Sequence, residues 1–163
     1  MIELITNRTQ EDVNRLTELT HKALTGTGAT FEDRLTEAEQ EEWLALSNKG
    51  AYNASDLNRV GTACATLYAA FKGAGYEIPE YYPTPTDWNV EDFPYRRVMD
   101  YYIGNVAAMK AAIGAETSIP NNMDGLDIFG ANAIERLLEE INDLLNRVTL
   151  GFIYLGEGST GEF

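Results

Sequence analysis

The side chains able to do chemistry in this chain are few: one histidine, one cysteine, 26 acidic residues and a glycine-rich end. With His21 as the sole imidazole, a histidine metal cage or a Ser-His-Asp arrangement would have a single ring and no cysteine pair beside it. His21 is therefore expected to be a surface or internally satisfied residue. Cys64 stands among Ala63, Ala65 and Leu67, where nothing nearby in sequence would hold a thiolate, so it reads as a small buried hydrophobe. A lone cysteine also rules out an intrachain disulfide.

Gly156-Glu157-Gly158-Ser159-Thr160-Gly161 spells a dinucleotide-binding pattern, but that pattern works by aiming a following helix at a pyrophosphate. Only Glu162 and Phe163 follow, and Glu157 would sit beside the phosphate, so a flexible or pairing tail is expected. Asn121, Asn122, Asp124 and Asp127 offer oxygens without the ligand ladder and bidentate glutamate of an EF-hand, and they read as turn and cap residues. The acidic runs Glu39, Glu41, Glu42 and Glu139, Glu140, Asp143 lie mainly opposite apolar stripes. Solvated faces are expected there, because a catalytic acid must be partly desolvated to keep its proton. Asn7-Arg8-Thr9 and Asn53-Ala54-Ser55 match a glycosylation sequon but read as helix caps. The expectation is no catalytic residue, no cofactor site and no metal site.

What remains is contact chemistry. Tyr76, Tyr81, Tyr82, Trp88, Phe93 and Tyr95 combine large contact area with polar handles, and Leu150 to Gly156 is apolar at the end of an amphipathic helix. Tyr81, Tyr82, Trp88, Phe152, Ile153 and Tyr154 are the candidate interaction surface. Folding of the proline-rich connection onto its own bundle is the competing role for the aromatics.

The elements that must position these residues follow from apolar spacing. Helices are expected near 10–25, 37–48, 54–73, 95–113 and 127–153, started by Thr9, by a Thr36/Glu39 capping box and by Asn53 or Ser55, with Pro94 at the first position of the fourth. Pro79, Pro83 and Pro85 make 76–93 an extended connection, and a short extended tail covers about 154–163. One all-α domain over 1–163 results, an antiparallel bundle around Leu16, Trp43, Leu57, Cys64, Leu67, Val106, Met109, Ile134, Leu138, Ile141, Leu145 and Val148. Asp12-Val13-Asn14-Arg15 and Asp56-Leu57-Asn58-Arg59 echo each other as recurrent helix chemistry, with each aspartate expected to meet its arginine on the surface.

At 163 residues and 44% hydrophobic the chain can bury a core. Its formal charge of −14 repels phosphates and anionic lipid and favours basic protein partners. Direct nucleic-acid binding is not expected. Nor is membrane insertion, since no apolar run approaches the ~20 residues that span a bilayer.

Lys49-Gly50-Ala51-Tyr52-Asn53-Ala54-Ser55-Asp56-Leu57-Asn58-Arg59-Val60-Gly61 resembles the KGAYNATDLNRVG segment of a helical module in tail and baseplate-region proteins of phages and prophages of Gram-positive gut bacteria. Thr6 to Arg15, Glu41 to Leu44, Thr86 to Asp92 and Asn105 to Ala108 extend the resemblance over nearly the whole chain. It implies a non-enzymatic virion protein assembled in several copies into the tail region, and synthesis in the bacterial cytoplasm is expected because Met1-Ile2-Glu3-Leu4 lacks the basic flank and apolar run of a signal peptide. Its partners would be other tail or baseplate proteins. An acidic inhibitor that mimics DNA to occupy a basic host protein is the alternative, and a tail-associated cell-wall hydrolase the third.

Overall fold

Three polar residues start three helices. Thr9 and Asp12 exchange side-chain and backbone bonds at the head of α1 (Gln10–Thr25), and Thr36 and Glu39 do the same for α2 (Glu37–Ser47). Asn53, not Ser55, is the cap residue of α3 (Ala54–Gly73), reciprocated by Asp56. The computed structural model describes residues 2–47, 49–50 and 52–157, the last six by backbone alone.

α4 (Arg96–Ile113) begins one residue later than expected. Tyr95 keeps an extended backbone as its N-cap, so Pro94 stays in the connection rather than in the first helical position. Asp127 opens α5 (Ile128–Glu157), its Oδ1 accepting from the Gly130 amide at 2.7 Å. α5 runs past the expected end near 153. Gly151 costs about 1 kcal/mol in a helix interior, too little to stop a run this long. Residues 154–157 are thus helical, and the rest of the predicted tail lies outside the described residues.

The result is an all-α antiparallel bundle, with no strand among the described residues. It is built around two apolar clusters. α3, α4 and α5 pack on one another around Leu57, Cys64, Leu67, Val106, Met109, Ile134, Leu138, Ile141 and Leu145, all buried as their spacing predicted, together with Val60, Phe71 and Leu137. α1 instead packs on α2 over Leu19, Ala23 and Leu35, with Phe31, Trp43 and Leu46 at the edge. Leu16 and Trp43 are therefore only half-buried, and Leu24 and Leu44, which fit their stripes, are exposed; Val148, late in α5, is half-buried too. Eleven residues make α2 too short to present a full stripe, so polar bonds supplement its packing. Arg15 grips Glu42 through two nitrogens at 2.9 and 2.7 Å, Lys22 meets Glu39 at 2.5 Å, and the Trp43 indole donates to Thr20 at 3.0 Å.

The extended segments are tied to the helices by three asparagines that act alike. The Asn58 amide on α3 accepts from Trp88 N at 2.6 Å and donates to Trp88 O at 2.8 Å. Asn105 on α4 does this to Tyr82 at 2.9 and 2.7 Å, and Asn132 on α5 to Arg8 at 3.1 and 2.8 Å. A carboxamide carries one acceptor and one donor side by side, so it pairs with a single extended residue as a neighbouring strand would. Backbone that has left a helix needs such partners when it is covered. Between Trp88 and Tyr82 the connection crosses Gly61, where an added Cβ would stand 3.0 Å from Pro85 O and 3.2 Å from the Tyr102 hydroxyl.

Candidate functional site

The strongest concentration of charge is internal. Arg8 Nη2 donates to Asp56 Oδ1 at 2.7 Å and to Glu135 Oε1 at 2.6 Å, with all three side chains essentially sealed from solvent. Arg59 meets the same two carboxylates from the partly open side: Nη2 reaches both Asp56 Oδ1 and Glu135 Oε1, the latter at 2.8 Å, and Nε reaches Glu135 Oε2 at 3.0 Å. Glu135 Oε2 also accepts from Ile5 N at 2.5 Å. Two guanidiniums against two carboxylates balance the charge that burial would otherwise penalise. Burial lowers the Arg59 pKa, but Glu135 and Asp56 outweigh it and raise it overall. Burial foremost, and then the two carboxylates, push up the Tyr52 phenol, whose ring lies 5.9 Å from the Arg8 guanidinium.

This cluster joins the N-terminal segment, α3 and α5. It also corrects the expectation of surface Asp–Arg pairs. Asp56 and Arg59 do pair, but in the interior, whereas Asp12 is used in its cap and Arg15 turns to Glu42 and Glu18. Glu135 and Asn132 were not legible as special, since both lie within the strong apolar stripe of α5. A charged residue between Ile134 and Leu137 was the available signal. As an acid–base pair for hydrolysis Asp56 and Glu135 are badly placed, because both are sealed and held by arginine.

Other candidate residues are absorbed by the fold. Cys64 is fully buried, which pushes its thiol up to about 12 and leaves it unreactive. His21 is exposed on α1. Glu140 accepts from the amides of Glu116 and Thr117 at 2.8 and 3.0 Å, and Asn122 and Asp127 serve as turn and cap acceptors.

The predicted contact residues divide. Tyr81 stacks on Tyr68 with centroids 3.9 Å apart, and burial foremost raises its phenol to about 12. Trp88 is half-buried, its indole donating to Tyr102 Oη at 2.6 Å while that hydroxyl donates to Pro85 O. Both are chiefly used in holding the connection to the bundle. Tyr82 stacks on Tyr101 but stays 47% exposed. The side chains of Phe152, Ile153 and Tyr154 lie outside the described residues.

More exposed than any of these are Val90 at 95%, Phe93 at 83% and Tyr95 at 74%. Val90 lines, and Phe93 and Tyr95 adjoin in sequence, a concave groove of about 530 Å³ between the start of α3, the end of the connection, the first turn of α4 and the turn before α5. Tyr52, Leu57, Trp88, Val90, Met99 and Met123 supply its apolar wall. Asp92 and Asp124 stand at its edge, where Arg96 pairs with Asp124 at 3.3 Å. The sequence signal for this lip was Val90-Glu91-Asp92-Phe93, apolar and acidic residues interleaved without a helical period.

Comparison with family profiles, with curated proteins and with solved structures gives no significant match to this chain.

Proposed function

We propose that the chain is a non-enzymatic structural component of a phage or prophage virion, a helical adaptor of the tail or baseplate region that acts through protein contacts. The observation that supports this most is how the residues carrying the resemblance are used. Within Lys49–Gly61, Gly50 fits against Leu16 of α1, where an added Cβ would come within 2.6 Å, and Asn53 and Asp56 start α3. Asp56 and Arg59 build the charge cluster, while Asn58 and Gly61 seat the connection. Such a signature maintains a scaffold and leaves contact to other surfaces, here the lip Val90–Tyr95 and the apolar end of α5. Charge is consistent with it too: −14 favours a protein partner over nucleic acid or anionic lipid. DNA mimicry has less support in that Asp56 and Glu135 are sealed inside and Glu39, Glu42 and Glu140 are engaged by the chain's own groups.

The test is mass spectrometry of gradient-purified particles from an induced lysogen that encodes the chain, with crosslinking to identify its neighbours. Stoichiometric presence beside tail proteins is expected. Recovery only in the free cytoplasmic fraction would overturn the proposal.

A further inference from the structure

The groove beside Trp88 has the construction of a docking site for one kind of partner. We infer that it takes a protein segment that inserts an apolar side chain between Met99, Met123 and Leu57 and carries lysine or arginine next to that anchor. This rests on the adaptor reading and specifies its contact.

Three observations carry it. The wall is apolar and concave at a volume of about 530 Å³, within the range of ligand pockets, and its two methionines adapt to the shape of an inserted side chain. One side is rigid before any partner arrives: Trp88 is held by Asn58 at both backbone atoms and by Tyr102 at its indole, so little ordering cost remains there. The rim is acidic. Asp92 lines it and exposed Asp87 and Glu91 adjoin it in sequence, while Arg96 and Asp124, both also in the lining, pair and offset each other, so the net charge of the rim is negative. An anchor with basic neighbours complements that rim, whereas a second copy would bring the same acids and a further −14. Val90, almost fully exposed in the lining, and Phe93, exposed between the lining residues Asp92 and Pro94, offer the anchor's flank an apolar surface to cover.

A displayed library of random 12-residue peptides, selected against the full chain, tests this with a synthetic peptide of the enriched consensus. An apolar anchor beside lysine or arginine should be enriched, and the synthetic peptide should shift the Met99 and Met123 methyl and Trp88 indole NMR signals. Two exposed variants serve as controls for the site, V90S/F93S for the lip and E91K/D124K for the rim. Each should keep the wild-type circular dichroism and weaken the peptide by about tenfold or more.

No enrichment, an acidic consensus, shifts away from the groove, or undiminished binding by both variants would overturn the inference. So would sedimentation showing a dimer of the chain whose formation covers the Met99 and Met123 methyls. The two proposals fail separately. Particles that contain the chain while no peptide binds would leave the adaptor standing without this groove, and peptide binding by a chain missing from particles would remove the tail assignment alone.

Discussion

A carboxamide that pairs with both backbone atoms of one extended residue does work that composition cannot reveal. Asn58, Asn105 and Asn132 lie on three different helices, and each looks in the sequence like an ordinary polar residue on a helical face. Their role depends on which extended segment passes over them, which is a tertiary fact. Asn105 is the cleanest case because it is buried and faces Tyr82. Asn105→Ala leaves the Tyr82 N–H and C=O without that partner and should cost about 2 kcal/mol, on a net worth of roughly 1 kcal/mol per hydrogen bond. Urea denaturation gives the loss, and hydrogen exchange should show faster exchange at the Tyr82 amide. An unchanged midpoint with Tyr82 still protected would mean that the stacks on Tyr68 and Tyr101 hold the segment unaided.

At the scale of elements, apolar spacing was a good guide where a helix meets a large neighbour and a poor one where it does not. Every expected core residue of α3, α4 and the first five turns of α5 is buried, because each faces two other helices. Leu24 and Leu44 satisfied the same spacing on α1 and α2 and remain exposed, since that hairpin has only one face to cover. Its stability leans on charge, which gives it a pH dependence. Glu39 is lowered from 4.5 to about 2 by Lys22 and then by the Thr36 amide, and Glu42 is lowered by Arg15. With the folded value below the unfolded one, the unfolded chain binds more protons between them. This contribution is complete above about pH 4.5 and is lost as the pH falls toward 2. Glu39→Gln should therefore lower the urea midpoint at pH 6 and converge on wild type near pH 2. A gap of constant size across that range would show that the carboxylate's charge is not what matters.

For the molecule as a whole the four-residue charge cluster is the junction. Its members come from the N-terminal segment, α3 and α5, and only the Asp56–Arg59 half was near enough in sequence to be read. Arg8 resembled a residue in a cap motif, and Glu135 one acid among several on a long helix. Removing one carboxylate leaves two guanidiniums sharing the other. Glu135→Ala should cost about 3–5 kcal/mol, as for other broken buried pairs, a large part of a typical domain's 5–15 kcal/mol. Thermal unfolding measures the loss, and the Ile5 amide should lose its protection from exchange. A variant with wild-type melting and a protected Ile5 would show that the cluster is dispensable.

That same junction sets an order in time. In chain order Arg8 comes first, with Asp56 48 residues after it and Glu135 127 residues after it. At about 5–20 residues per second, Arg8 and Asp56 both leave the ribosome several seconds before Glu135 is made. Through that interval the nascent chain has two arginines and one aspartate where the finished fold has a balanced four, and the segment Ile2–Thr9 lacks α5 to lie against. The α1–α2 hairpin, closed by local contacts, can form while the chain is still growing; the N-terminal strap must wait for α5.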